Sequence, residues 1–190
     1  MADLTRSTTP PHGYAVLGTT ERFSGKFLTL RSDHLRLAPG TESTYDLVDH
    51  PGAAAVVALD DVGRVLLVHQ WRPAIGASEW ELPAGIRDHG DEPVQAVAER
   101  ELAEETGVTA PTWSHLLTLH PSPGYAAEQV EVFLATGASQ TQDPDREDSE
   151  SGMTTTWVDL AEAVAAVRAG QITSSMTVAG LLAASSDRGA

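Results

Sequence analysis

The sequence contains no cysteine. That absence excludes a disulfide framework, a thiol nucleophile and a zinc–thiolate centre. Basic residues are scarce: 12 Lys and Arg stand against 27 Asp and Glu, a formal net charge of −15. A surface with that balance is not one that binds nucleic acid, whose phosphates recruit Lys and Arg. A small anionic ligand is still compatible with it, because a few local cations or a metal ion suffice to hold one. No run approaches the roughly 20 apolar residues of a membrane-spanning helix. The first residues, MADLTRSTTPPHG, lack the apolar stretch of a secretory signal. The expectation is a cytoplasmic protein with neither nucleic acid nor membrane among its partners.

What is present is enough for one good core and a small appendage, since the chain has 190 residues. Residues 1–13 are polar and proline-bearing and are expected to be a mobile tail. Residues 14–50 alternate apolar and polar positions, as at Leu28 and Leu30 and again at Leu35 and Leu37, with a turn at Pro39-Gly40. About three antiparallel strands are predicted there. They are too few to bury a core alone, so this unit is expected to pack on the main domain or on a second subunit. His50-Pro51-Gly52 punctuates the start of a main domain spanning 51–190.

In that domain Ala53–Leu59 is continuously apolar, Asp60–Gly63 reads as a turn and Val65–Val68 returns, predicting a central hairpin. The next stretch, HQWRPAIGASEWELPAG, mixes Trp71, Arg72, Pro73, Gly76, Trp80 and Pro83 and suits a shaped site more than a regular strand. Further strands are predicted at Trp113–Leu119, Val130–Ala135 and Thr154–Val158, with a polar, acidic loop from about 137 to 152. Asp159 and Glu162 form a capping box for a helix ended by Gly170, and a second terminal helix is expected over Thr173–Ala184. Thr173, Ser174 and Ser175 read as its cap. The order of elements predicts the α/β (α+β) class: a mixed sheet sandwiched between helices, with a small antiparallel unit in front.

One stretch carries an internal conflict. From Pro93 to Thr106 the residues favour a helix, with Asp91 available as a cap, Pro93 in the first turn and Gly107 just past the end. Val94, Val97, Ala98 and Leu102 fall on one stripe of that helix. Glu101 and Glu105, one turn apart, fall on the middle of the same stripe, and Glu104 lies at its edge. Carboxylates on a buried face are costly unless paired or bound to metal. A hard divalent cation such as Mg²⁺ resolves the conflict, because it takes carboxylate oxygens and keeps some of its waters. A solvated acidic helix face is the plainer alternative.

The same stretch resembles the Nudix box: Gly, five residues, Glu, seven residues, then Arg-Glu-apolar-x-Glu-Glu-x-Gly-apolar. Gly85, Glu92, Arg100, Glu101, Leu102, Glu104, Glu105, Gly107 and Val108 match it, with six residues rather than five between Gly85 and Glu92. The extra residue reads as a loop insertion before the helix and leaves open whether Glu92 or Asp91 holds Arg100. Four other stretches are similar to the ADP-ribose pyrophosphatase branch of that family: Leu47–Ala53, Gln70-Trp71-Arg72, Glu81-Leu82-Pro83-Ala84-Gly85 and Ser122-Pro123-Gly124. Pro123 stands sixteen residues past Gly107, the spacing associated in this family with ADP-ribose substrates. The chain departs from the branch at Tyr45, where an arginine often stands.

The resemblance implies Mg²⁺-dependent hydrolysis of ADP-ribose to AMP and ribose 5-phosphate, with Mn²⁺ as an alternative cation. It implies that Glu101, Glu104, Glu105 and the Ala84 carbonyl hold the metal, and that Gly85, Glu92 and Arg100 brace the site. Trp71, Arg72, Glu81, Pro123, Gly124, Tyr125 and Glu128 are implied to meet the substrate. A further carboxylate is implied in the loop before the last strand, as base or extra ligand: Glu150 first, Glu147 second, with Asp148 between them. A homodimer joined through residues 14–50 is implied as well. Two alternatives stay open, hydrolysis of another nucleoside diphosphate sugar and a non-catalytic nucleotide-sensing module. His69, His89, His115 and His120 show no metal spacing and are read as structural or exposed.

Overall fold

The computed structural model describes residues 4–38, 40–88, 90–146 and 152–187. Two compact units emerge. Residues up to His50, joined by Ser122–Ala127, make one, and residues 51–121 with 128–190 make the other.

The first unit is a three-stranded antiparallel sheet in the order β1 (Ala15–Ser24), β2 (Thr29–Arg36), β3 (Glu42–Asp49). Every residue of β1 after Ala15 is exposed. The central strand β2 instead buries polar groups. Ser32 accepts from Arg22 Nε at 2.8 Å and donates to Asp46 at 2.5 Å, while Asp33 accepts from Thr19 and Arg31. Ser122–Ala127 joins this sheet through main-chain bonds, Val48 N–H to the Tyr125 carbonyl at 2.8 Å and Ala127 N–H to the Val48 carbonyl at 2.9 Å.

The second unit is built on β4 (Ala53–Leu59), which is buried along its whole length. Its odd-numbered side chains pack with α2 (Leu160–Arg168) and α3 (Ser175–Asp187). Its even-numbered side chains pack with α1 (Val94–Thr106). A strand covered on both faces has no polar side to show, hence the unbroken apolar run. The sheet runs β12 (Thr154–Asp159), β5 (Arg64–Arg72), β4, β10 (Val130–Thr136), β9 (Thr112–Leu119). It is mixed: β4 pairs with β10 in parallel and β10 with β9 in antiparallel.

The hairpin of β4 and β5 does not stay closed. The two strands pair only at Leu59 and Val65 and then diverge. The wedge between them is filled by β6 (Ala77–Glu81) on β5 and by β7 (Ala84–Ile86) on β4. Between these, the Pro83 carbonyl accepts from Val56 N–H at 2.9 Å, and Leu82 N–H donates to the buried Thr177 hydroxyl of α3 at 3.0 Å. Gly180 lets α3 lie this close, because a Cβ there would stand 2.8 Å from Leu82 Cδ1.

Several sequence expectations are corrected. The stretch from His69 to Gly85 is not an irregular shaped segment: β5 continues through Arg72 and turns back as β6, with Trp71 opposite Ser78 and Arg72 opposite Ala77. Asp91 does not cap α1. Pro93 holds the cap position in an extended conformation (φ −57°, ψ 135°), which leaves Asp91 in the preceding turn. Within the polar loop, β11 (Ser139–Gln140) pairs with β8 (Val108–Thr109). Thr173 does not serve as a helix cap: its hydroxyl and N–H both donate to the Glu79 carboxylate.

Candidate metal and diphosphate site

Helix α1 brings its carboxylates to β7 because its apolar residues leave no other orientation. With Val97, Ala98 and Leu102 buried against β4, the 100° step of the helix turns Glu101 and Glu105 toward the wedge. Glu105 is 2% exposed and accepts from Ala84 N–H at 3.1 Å. The Glu101 carboxylate lies over Gly85, where any Cβ would overlap it. Glu104, at the stripe's edge, keeps 44% of its side chain exposed.

Arg100 gathers Glu101 and Glu104. Its Nη1 donates to Glu101 Oε1 at 2.8 Å and to Glu104 Oε2 at 2.9 Å, and its Nη2 reaches Glu92 Oε2 at 3.4 Å, with Asp88 at 4.0 Å. Of the two candidates, it is Glu92 that holds the arginine. Ahead of the helix the chain turns at Gly90, at φ +56°. Burial opposes the charge on Arg100, but the hydrogen bonds it donates to Glu92 and Glu104 and the charge of Glu101 hold its guanidinium above its ordinary pKa.

The far end of α1 is finished by residues distant in sequence. Four carbonyls from Glu104 to Gly107 lack helical partners. Asp145 N–H donates to Glu104, Arg146 Nε to Glu105, Gln140 Nε2 to Thr106, and Thr141 and Gln142 N–H to Gly107. Gly107 is required twice over: its φ is +71°, and a Cβ there would overlap the Gln142 carbonyl. Sequence reading missed Gln140, Asp145 and Arg146. The available signal was that Arg146 is the only Lys or Arg between Arg100 and Arg168.

On the hairpin of β5 and β6, Glu81 is 4% exposed. One of its oxygens accepts from Gln70 Nε2 at 2.8 Å and from Arg72 Nε at 2.9 Å and Nη2 at 2.6 Å. Trp71 faces the other way and is 60% exposed. In the first unit, Pro123 and Gly124 form the turn closed by Tyr125 N–H on the Ser122 carbonyl at 3.1 Å, and the Tyr125 ring is exposed. Glu128, in the second unit, offers its carbonyl to His120 Nδ1 at 3.1 Å. Glu147, Asp148, Glu150 and His89 lie outside the described residues.

The donor set fits a hard divalent cation in kind: carboxylate oxygens on one helix face, beside the Ala84 main chain, with more negative charge than Arg100 alone offsets. Among the described residues no three acidic or histidine side chains converge on a single point. Glu101 and Glu104 converge on Arg100 Nη1 instead, and Glu105 on Ala84 N–H.

A mixed sheet split by a wedge, with a carboxylate-bearing helix packed over the split, defines a class of protein, and comparison with known proteins says which. The model of the NUDIX domain matches residues 49–176, and this chain belongs to that family. It is 40% identical over 172 residues to an ADP-ribose pyrophosphatase of Mycobacterium tuberculosis, covering 90% of this chain and 83% of that protein. It is 36% identical over 150 residues to an ADP-ribose pyrophosphatase of Bacillus subtilis, covering 79% and 80%. A solved structure of an ADP compounds hydrolase superposes with a TM-score of 0.79 over 96% of each chain at 19% identity, a likeness of fold.

Proposed function

We propose that this chain hydrolyses the diphosphate of ADP-ribose to AMP and ribose 5-phosphate. Three carboxylates of one helix carry the reading: Glu101, over Gly85, and Glu104 share the Arg100 guanidinium, and Glu105 accepts from Ala84 N–H. Relatives named for that activity support the choice of substrate. Glu101, Glu104, Glu105 and the Ala84 carbonyl would hold Mg²⁺, with Mn²⁺ as an alternative. A cation there supplies charge neutralisation for the diphosphate and a more acidic water.

The remaining work falls to this chain's own groups. Arg72, steadied by Glu81, presents a guanidinium suited to a phosphate oxygen. The exposed Trp71 ring offers a face on which a base can stack. Glu128 is a further proposed substrate contact of the second unit, and Pro123, Gly124 and Tyr125 are proposed contacts of the first. Glu150, or else Glu147, accepts a proton from the attacking water as its oxygen bonds to one phosphorus. The bond from that phosphorus to the bridging oxygen breaks, and the second phosphate leaves with the electron pair.

The proposal extends to a homodimer joined through residues 14–50, since β1 leaves Val16, Leu17 and Phe23 exposed. It extends also to a cytoplasmic location. No helix among the described residues is long and apolar enough to cross a membrane. A purely sensing module has no need of the full carboxylate set.

The test is a panel of nucleoside diphosphate compounds assayed with Mg²⁺ and with chelator. ADP-ribose should be cleaved fastest, and chelator should abolish the reaction. Faster cleavage of another nucleoside diphosphate sugar would replace the substrate, and tight binding without cleavage of any compound would favour the sensing module.

A further inference from the structure

Arg146 stands in an acidic neighbourhood, QDPDREDSE, yet its hydrogen bonds among the described residues go to main-chain carbonyls. Its Nε donates to the Glu105 carbonyl at 2.7 Å and its Nη1 to the Met153 carbonyl at 2.8 Å. The first of these belongs to the most buried carboxylate residue of α1. The second lies immediately before β12, whose first residue, Thr154, pairs with His69 of β5. From there β5 continues into Gln70, Trp71 and Arg72. One guanidinium therefore ties the carboxylate helix to the strand that flanks the other half of the site.

Helix α1 has no basic residue in its last turn. Arg146 supplies from elsewhere the positive charge that a helix C-terminus favours. Its planar fork can hold two carbonyls at a set separation, which a lysine ammonium does less rigidly. Asp145 N–H on the Glu104 carbonyl at 2.9 Å extends the clamp to the neighbouring carboxylate residue.

We propose that Arg146 is a positioning residue, setting Glu105 in place relative to β7 and to the β5–β6 hairpin and thereby governing turnover rather than substrate capture. The proposal rests on the diphosphatase reading above. A shift of about 1 Å in a catalytic group can cost about 10²-fold in rate, and the clamp acts on the main chain of a residue whose carboxylate accepts from Ala84 N–H at 3.1 Å.

The test compares Arg146→Met and Arg146→Lys with a control, Ile172→Val, which trims the core on the sheet face opposite α1. Three measurements are made: kcat and KM for ADP-ribose at saturating Mg²⁺, amide hydrogen exchange at Ala84 and Leu82 without substrate, and the melting temperature. Arg146→Met should lose about 10²-fold in kcat with KM little changed, and exchange at Ala84 should quicken while exchange at Leu82 does not. Arg146→Lys should recover part of both losses, and Ile172→Val should keep wild-type kcat. A purely structural role would lower the melting temperature of Arg146→Met as in the control, with kcat and Ala84 exchange untouched, and would overturn the proposal. So would a rise in KM at constant kcat. If wild type cleaves no diphosphate while Ala84 exchange still responds, the positioning stands and the diphosphatase reading falls.

Discussion

Glu101 lies so close over Gly85 that no Cβ fits between them. Gly85 is not in a left-handed conformation, so its backbone would accept alanine. Gly85→Ala should therefore act through Glu101 alone, rotating its carboxylate away from β7. The expected result is a loss of about 10²-fold in kcat with a native circular dichroism spectrum. Because the two residues act as one unit, the double variant with Glu101→Gln should lose no more than Glu101→Gln does. Additive losses in that cycle would mean that Gly85 matters for another reason.

Glu101→Gln and Glu105→Gln should each lower turnover by orders of magnitude while the fold survives, since both sit on the packed stripe of α1. The check is steady-state kinetics across a Mg²⁺ titration. Near wild-type turnover at saturating Mg²⁺ for either variant would remove it from the ligand set.

Carboxylates committed to a metal are poor proton acceptors, so the base is expected elsewhere. Among Glu147, Asp148 and Glu150, one amide variant should lose about 10²–10⁴-fold in kcat with a smaller change in KM. Single-turnover rates for the three variants decide it. Three normal rates would move the role to Glu128 or Glu104, or to a mechanism without a base.

If the proposed dimer forms, removing residues before Val48 should leave a poorly soluble or inactive chain, because it strips the unit whose β1 face is exposed. Sedimentation and activity are measured together. A truncated chain that is soluble, monomeric and fully active would contradict the dimer.

Glu131 gives a pH signature away from the site. Burial raises its pKa, but hydrogen bonds from the Thr118 hydroxyl, His115 and Gln129 outweigh that and hold it below the ordinary carboxylate range. A depressed folded-state pKa means the stabilisation is present above the ordinary value and is lost as pH falls through the lowered one. The melting-temperature gap between wild type and Glu131→Gln should be wide at pH 7 and shrink toward pH 3. An unchanged gap would show that the charge on Glu131 contributes nothing.

The family and the carboxylate helix were legible in the sequence because both depend on local spacing. Helical geometry alone places Glu101 and Glu105 one turn apart on a stripe with Val97 and Leu102, and Gly107 ends the helix in the left-handed conformation that its residue type favours. The continuous apolar run of β4 likewise announced a central strand. Where conformation is decided by long-range pairing, local patterns misled. Trp71 and Arg72 looked irregular because Pro73, Gly76 and Pro83 stand in the same stretch, yet β6 pairs with them and makes a regular hairpin. Asp91 looked like a cap, but the extended Pro93 starts the helix two residues later.

Only the tertiary structure opened β4 from β5, slid β7 into the gap and so set Gly85 beneath Glu101. It decided between Glu92 and Asp91 as the partner of Arg100, and it alone brought Arg146 onto the Glu105 carbonyl, 41 positions away in the chain. The physical reason is that unpaired main-chain groups must find partners wherever the fold delivers them, and a sequence records which carbonyls a helix end leaves unpaired but not which distant residue will arrive to bind them.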